Sequence, residues 1–205
     1  MEKKYFISLQ DKAESPALLT AICDCLATMN HMTYDILDRA HQRTCLAILF
    51  GHCSHDESTV RAAAVRALAI YSAFEHEDPV FLADVADMLV KCAHDPVPLV
   101  RGKAAWSLGN LSDTLVSHQE SGTDIDLFSL LNACLHCCED SEKIRSNAVR
   151  PLGIFLKLLT AAHVTEETYR VAVGQSVVLL TRLAGSGTNM KIKWNACYAL
   201  GEYTL

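Results

Sequence analysis

The clearest sign of the fold is a pattern that occurs four times in the chain. One copy lies in the stretch Val100-Arg-Gly-Lys-Ala-Ala-Trp-Ser-Leu-Gly-Asn-Leu-Ser-Asp113. The other copies begin at Val60, Ile144 and Ile192, so the four starts are separated by 40, 44 and 48 residues. Each copy has a β-branched residue, a base, an alanine three positions further on, a leucine four positions after that, and then a small residue. Apolar residues four positions apart share one face of a helix. The sequence therefore predicts a helical repeat.

An apolar helical pattern also precedes each copy, and it supplies a partner helix for the pair. These partner helices are predicted over 33–53, 80–93, 124–138 and 165–184. Helical pairs with a period above 40 residues are typical of HEAT and armadillo arrays. We therefore predict an all-α fold in a single domain over 1–205, a right-handed α-solenoid of about four to five helical pairs.

The helical pairs define the expected repeat boundaries. The repeats are predicted at roughly 33–74, 79–118, 124–161 and 165–205, after an incomplete repeat in 1–32. The sequence shows no polar capping helix after the last pair. A terminal repeat needs a polar outer face to stay soluble. We therefore expect a fragment of a longer array, or self-association through an uncapped C-terminal repeat.

A polar motif recurs at the turn inside each pair. Asp56, Asp95 and Asp140 occupy it, and aspartate is a good helix N-cap. We expect these residues to cap the second helices, with Pro96 in the first turn of one of them. The recurring base at positions 61, 101, 145 and 193 follows within six residues where the aspartate is present. We expect this base to brace the turns through the aspartates and not to form a binding site.

The bulk composition limits the possible functions. The chain has 205 residues, half of them hydrophobic, and a net charge of −6. Nucleic-acid binding needs a basic field and is therefore disfavoured. No apolar run approaches the roughly 20 residues that span a membrane, and no membrane partner is expected. The nine cysteines mostly lie in apolar helical patterns, which indicates free thiols in a reducing compartment. We expect a soluble, cytoplasmic protein, with the nucleus as a second compartment.

The sequence offers little support for catalysis or metal binding. It contains no nucleophile elbow, phosphate-binding glycine loop or zinc-protease motif. Cys134, Cys137 and Cys138 lie close together, but zinc needs about four tetrahedral ligands. The position of Cys137 also recurs at Cys53 and Cys92, which helix packing explains. We expect no enzymatic activity, no metal and no cofactor.

The second helices of the pairs have one irregular face, which is the candidate binding site. Such helices line the concave side of solenoids, the usual binding surface. Exposed aromatic and arginine side chains are typical of interface hot spots. The alternative is that Trp106 and Tyr198 pack against neighbouring repeats. The predicted protein-binding stripe consists of Arg66, Lys103, Trp106, Asn110, Asn147, Arg150, Asn195, Tyr198 and Glu202.

Two resemblances rest on the residues quoted above. The segment 100–113, with Ser146-Asn-Ala-Val-Arg150 and Lys193-Trp-Asn-Ala-Cys-Tyr-Ala-Leu-Gly201, resembles the family of HEAT repeat-containing protein six over about 95–203. That resemblance implies an intracellular solenoid without known catalytic residues. The pair formed by Trp106 and Asn110 is similar to those in the peptide groove of importin-alpha. There the tryptophan packs on lysine stems and the asparagine holds the peptide backbone.

Three functions remain open at this point. The leading hypothesis is a non-catalytic scaffold that binds a segment of another protein, whose identity the sequence does not give. The second is an importin-like nuclear transport adaptor, which would need an acidic groove for basic cargo. The third and weakest is nucleic-acid binding along an edge formed by Lys103, Arg150 and Lys191.

Overall fold

The fold consists of α-helices stacked in consecutive pairs. The computed structural model describes residues 15–74, 80–117, 125–187 and 189–203, and within these ranges it contains eleven helices and no strand. In the same residues, no helix is both long enough and apolar enough to cross a membrane. The helices are α1 (Pro16–Leu26), α2 (His31–Ile36), α3 (Arg39–His52), α4 (Ser58–Tyr71), α5 (Phe81–Ala93), α6 (Pro98–Ser117), α7 (Leu127–Glu139), α8 (Glu142–Lys157), α9 (Ala161–Thr165), α10 (Glu167–Gly185) and α11 (Met190–Tyr203).

The helices form two layers. Helices α4, α6, α8 and α11, which carry the four repeat copies, pack side by side in chain order, and α1 packs against α4 at the start of the row. We call these five helices the B layer. Helices α3, α5, α7 and α10 each pack against the B-layer helix that follows them, and they form the A layer. The order of contacts confirms the solenoid, and it places α1 next to α4 in the B layer.

The repeat pattern forms the core between the layers. The repeated alanine is fully buried at Ala64, Ala104, Ala148 and Ala196. A small side chain there lets the B-layer helices approach closely, and the β-branched residue and the leucine of the pattern fill the space above and below it. The β-branched residue is buried in all four copies, at Val60, Val100, Ile144 and Ile192. Helical periodicity in the sequence therefore identifies the core correctly.

The turn aspartates do not cap the helices that follow them, which corrects the sequence prediction. Helices α4, α6 and α8 begin at Ser58, Pro98 and Glu142, two or three residues after the aspartates. Pro98 therefore begins α6, and Pro96 lies before the helix. The carboxylates of Asp95 and Asp140 have another role, because they accept hydrogen bonds from the arginines of the preceding repeat.

These arginines form a ladder across the repeats. Arg61 binds Asp95 in a bidentate manner, with Nε to Oδ2 at 2.7 Å and Nη2 to Oδ1 at 3.0 Å. Arg101 Nε donates to Asp140 Oδ2 at 2.6 Å. Each arginine also closes its own turn: Arg61 Nη1 donates to the carbonyls of His55 and Asp56 at 2.8 and 2.6 Å. This geometry confirms the bracing role for Arg61 and Arg101, with the difference that each carboxylate belongs to the next repeat. Among the described residues, Arg145 donates only to the carbonyls of Cys138 and Asp140 in its own turn.

The ladder changes the titration of its aspartates. Burial alone would raise the pKa of Asp95, but hydrogen bonds from Arg61 and from the Val97 N–H outweigh it, so this pKa lies below its usual value. The hydrogen bond from Arg101 likewise lowers the pKa of Asp140 against the opposing effect of burial. Both carboxylates are therefore ionised at neutral pH and hold the B-layer helices in register.

The first A-layer helix differs from its prediction. The sequence predicts one helix over 33–53, but the chain is extended at Leu37 and two helices result. Asp38 is the N-cap of α3, since its Oδ1 accepts a hydrogen bond from the His41 N–H at 2.9 Å. An aspartate prefers that capping position to the interior of a helix, which explains the break.

Two histidines stack on the A layer and provide a pH-dependent contact. The ring centroids of His94 and His136 are 4.4 Å apart. Burial, and then the neighbouring His136, hold the pKa of His94 below its usual 6.5. The unfolded chain therefore takes up this proton at a higher pH than the folded chain does. Its contribution to stability is complete above about pH 6.5 and decreases as the pH falls towards the folded pKa.

Replacing His136 with glutamine is expected to raise the pKa of His94 towards its usual value and to flatten the stability profile below pH 6.5. NMR titration of the His94 ring, with thermal unfolding across the same pH range, measures both effects. An unchanged His94 titration would contradict the assigned role of His136 and leave burial as the cause.

Candidate functional site

The B layer carries an open groove whose first section lies across α4, α6 and α8. Four residues of the predicted stripe line it: Arg66 from α4, Lys103 and Trp106 from α6, and Asn147 from α8. Leu99 adds an exposed apolar surface at the start of α6. This section has a volume of about 640 Å³, within the range of roughly 300–1,000 Å³ that is common for binding pockets.

The second section lies across the C-terminal halves of α6 and α8 and the middle of α11. It has a volume of about 400 Å³. Three further residues of the stripe line it, namely Arg150 from α8 and Asn195 and Tyr198 from α11. The structure thus brings seven of the nine predicted residues into two adjoining sections of one helical layer.

The remaining two stripe residues have different positions. Asn110 is half-buried on α6, one turn after Trp106, and lines neither section. Glu202 belongs to α11, but its side chain lies outside the described part of the structure.

The aromatic side chains of the groove are exposed. Tyr198 is 58% exposed and Trp106 is 37% exposed, so neighbouring repeats enclose neither of them. Trp194, one turn before Tyr198, is 74% exposed and lines the second section as well. Large apolar side chains left accessible on a helical layer are suited to a binding partner, because their burial on binding is favourable.

Ion pairs orient the two arginines of the groove. Arg66 Nη1 donates to Asp24 Oδ1 at 3.3 Å, which joins α4 to α1. Arg150 Nη2 donates to Asp113 Oδ1, which joins α8 to α6. In both pairs the arginine donates to an aspartate on the preceding B-layer helix. All four side chains are more than a third exposed, so these pairs set side-chain direction more than stability.

Known families identify this architecture. The HEAT repeats family matches residues 6–109, half of the chain. The chain belongs to the HEAT repeat family. An uncharacterized protein of Dictyostelium discoideum is 32% identical to this HEAT-repeat chain over 151 residues, which is 69% of the chain and 10% of that protein. The chain thus spans about a tenth of the length of that curated relative.

Designed proteins are among the solved structures with the same fold. A designed armadillo repeat protein in complex with the peptide (KR)4 aligns with 96% of the HEAT-repeat chain and 80% of its own, with a TM-score of 0.69 and 20% identity. A computationally designed armadillo repeat protein for modular peptide recognition aligns with 96% and 79% of the two chains, with a TM-score of 0.67 and 20% identity. At this identity, the likeness establishes the helical-repeat fold.

Two lysines of the B layer differ in their partners. Lys103 forms no ion pair or hydrogen bond with its side chain among the described residues. Lys191 Nζ donates to Asn147 Oδ1 at 3.0 Å, which ties α11 to α8. The amide nitrogen of Asn147 is left to donate elsewhere. Lys103 and Asn147 together therefore offer a charge and an amide donor to a bound molecule.

The sequence prediction missed several groove residues. Trp194, Asp113 and Lys157 line the second section but are absent from the predicted stripe. Trp194 shares its repeat position with Gly102 and Ser146, so the alignment of copies treats it as variable. Its spacing of four residues before Tyr198 is the signal that could have identified it, because that spacing places both rings on one helix face.

The cysteines of the HEAT-repeat chain lie mainly in the core. All nine are free thiols, and Cys134, Cys137 and Cys138 are fully buried. Burial raises the pKa of Cys137 to about 12, so this thiol is protonated at neutral pH. Among the described residues, no group of three or more metal-binding side chains is positioned to hold a metal ion.

Proposed function

We propose that this chain is a non-catalytic scaffold that binds an extended segment of another protein along its B layer. The observation that carries this proposal is the alignment of exposed aromatic side chains, arginines and asparagines in two adjoining groove sections. We take the B layer as the concave side, because these helices line that side in related arrays.

The comparisons support the same proposal. One designed neighbour is described in complex with a peptide, and another is described as made for modular peptide recognition. The present chain has their fold and an open groove on the helical layer with the repeat pattern. HEAT-type repeats offer extended surfaces of this kind, and their function is typically binding.

The groove residues have complementary roles in this proposal. Trp106 and Tyr198 provide apolar anchors, which contribute most of the affinity in typical interfaces. Asn147 and Asn195 provide amide groups that can donate to and accept from the backbone of an extended peptide. An extended peptide needs such partners because its own N–H and C=O groups are unpaired.

Simultaneous replacement of Trp106 and Tyr198 with alanine is expected to weaken groove binding at least about tenfold, since each is an anchor worth roughly 1–2 kcal/mol. Ten-residue peptides selected from a random display library on the wild-type chain provide the ligands. Fluorescence anisotropy then measures their affinity for the wild-type chain and the double variant, and circular dichroism verifies folding.

The control variant removes two exposed apolar side chains from the A layer. Val171 and Val178, both on α10, are 53% and 71% exposed and lie outside the groove. Their replacement with alanine is expected to leave peptide affinity unchanged. Equal affinity of the folded Trp106/Tyr198 variant and the wild type, or an equal loss in the α10 control, would refute the groove as the binding site.

The importin-like alternative has less support from the groove. Basic cargo needs acidic walls, whereas both sections are lined by more basic than acidic side chains. The nucleic-acid alternative relied on Lys103, Arg150 and Lys191. Of these, Arg150 is paired with Asp113 and Lys191 is bonded to Asn147. We therefore do not adopt either alternative.

Three finer assignments remain proposals. Membership of the HEAT repeat-containing protein six family rests on the segments 100–113, 146–150 and 193–201. Self-association through the last repeat is supported by Met190 on α11, which is 72% exposed. A cytoplasmic location is supported by nine free cysteines.

A further inference from the structure

Charge is distributed unevenly between the groove and the rest of the molecule. The whole chain has a net charge of −6. The lining of the two groove sections, in contrast, contains five basic side chains and one acidic side chain. These are Arg66, Lys103, Lys143, Arg150, Lys157 and Asp113. A basic groove on an acidic molecule attracts negative charge locally.

Internal ion pairs neutralise only part of this basic charge. Asp24 pairs with Arg66 and Asp113 pairs with Arg150, and both acids are about half exposed. Lys103 and Lys143 have no ion pair among the described residues. Both of these lysines line the first section. Positive charge is therefore in excess there, next to the ring of Trp106.

The spacing of the helices determines how long a bound segment is. Packed helices lie about 8–10 Å apart, so three steps from α4 to α11 span about 25–30 Å. An extended chain advances about 3.3 Å per residue, and about eight or nine residues cover that span. Each helix step then corresponds to between two and three residues of the partner.

We propose that the segment bound in this groove is acidic. It is an extended stretch of about eight or nine residues. Its Asp or Glu side chains lie over α6 and α8, where they meet Lys103 and Lys143 of the first section. An apolar side chain of the segment packs between Trp194 and Tyr198. This inference rests on the proposed function and adds the chemistry of the partner.

The spacing of charge favours an acidic peptide over a nucleic acid. Each strand of a duplex carries one phosphate per about 3.4 Å along its axis, so a strand along the groove brings about seven to nine phosphates. The two groove sections offer only five basic side chains, two of them in internal ion pairs. The net charge of −6 also opposes the approach of a dense polyanion. A peptide with a few carboxylates matches the number of basic side chains better.

The test uses three fluorescent probes of equal length and the complete chain. The first is a ten-residue peptide that alternates Glu with Thr and has one central Trp. The second replaces each Glu with Lys, and the third is deca-thymidine. We expect the Glu peptide to bind at least tenfold more tightly than either of the others, with an affinity that falls as salt is added.

Matched charge reversals locate the binding. Lys103→Glu on α6 is expected to weaken Glu-peptide binding at least tenfold, and it acts on a side chain without an internal partner. Lys91→Glu makes the same change on α5 in the A layer, where Lys91 is exposed and bonded to Ser54. This control is expected to bind the Glu peptide as the wild type does.

Other outcomes overturn the inference in distinguishable ways. Tighter binding of the Lys peptide would refute the acidic partner. An equal loss of Glu-peptide affinity in the Lys103→Glu and Lys91→Glu variants would refute it as well. Preference for deca-thymidine replaces it with a nucleic acid. Another outcome is that library peptides bind through Trp106 and Tyr198 without being enriched in Asp or Glu. That result would support the scaffold function and refute only the acidic character of the bound segment. An absence of groove-dependent peptides would refute both.

Discussion

Replacement of Asp95 with alanine is expected to lower the free energy of unfolding by about 2–4 kcal/mol, because it breaks a nearly buried, bidentate ion pair. The side chains of Arg61 and Asp95 are only 13% and 9% exposed. Without the carboxylate, the guanidinium of Arg61 keeps its bonds to its own turn but loses both bonds to the next repeat. Urea denaturation followed by circular dichroism measures the loss.

Asp113→Ala provides the matched control. Asp113 also pairs with an arginine of a neighbouring B-layer helix, but both partners are 49% exposed. Solvent screens such a pair, and its removal is expected to cost less than about 1 kcal/mol. A loss for Asp95→Ala no larger than that for Asp113→Ala would show that the ladder does not hold the repeats together. A double-mutant cycle with Arg61→Ala then isolates the pair from other effects.

Replacement of Gly153 with alanine is expected to destabilise the chain by about 1–3 kcal/mol through overpacking. A Cβ at Gly153 would overlap the Cβ of Ala199 and lie 3.0 Å from the Cα of Ala199. Neither atom can move without moving α11 away from α8. Thermal unfolding measures the effect, and a loss of groove binding is expected with it, since both residues line the second section.

Gly109→Ala is the control, because Gly109 occupies the same repeat position on α6. A Cβ there would have Arg150 Nη1 as its nearest neighbour at 3.9 Å, which is ordinary contact. Removal of a helical glycine is then expected to stabilise the chain by up to about 1 kcal/mol. Opposite signs for the two substitutions support the close approach of α8 and α11. A stabilising Gly153→Ala would contradict it, whereas partial rescue by Ala199→Gly would strengthen it.

These two features position the candidate groove. The ladder fixes the turn ends of the B-layer helices, and Gly153 fixes the distance between α8 and α11 near their middle. The second groove section lies across that same helix pair. A small change in helix spacing therefore changes the width of this section, in which the bound segment is proposed to contact Trp194 and Tyr198.

The fold and most of the candidate site could be predicted from the order of residues in the chain. Periodic burial depends only on the identity and spacing of residues, so the repeated alanine and leucine predicted the core of α4, α6, α8 and α11. The same register placed Arg66, Trp106, Arg150 and Tyr198 on an outward face, and the structure finds all four in the groove lining.

The contacts between residues of different helices could not be predicted in this way, because they depend on how the repeats pack. The partner of Arg61 is Asp95, 34 residues away, and not the aspartate of its own turn. Local capping preferences could not show this, because the stacking distance between repeats determines which carboxylate a guanidinium reaches. The same stacking brought Trp194, Lys157 and Asp113 to the second section. The positive charge of the groove likewise comes from side chains on several helices that are far apart in the sequence, and only helix packing brings these side chains together.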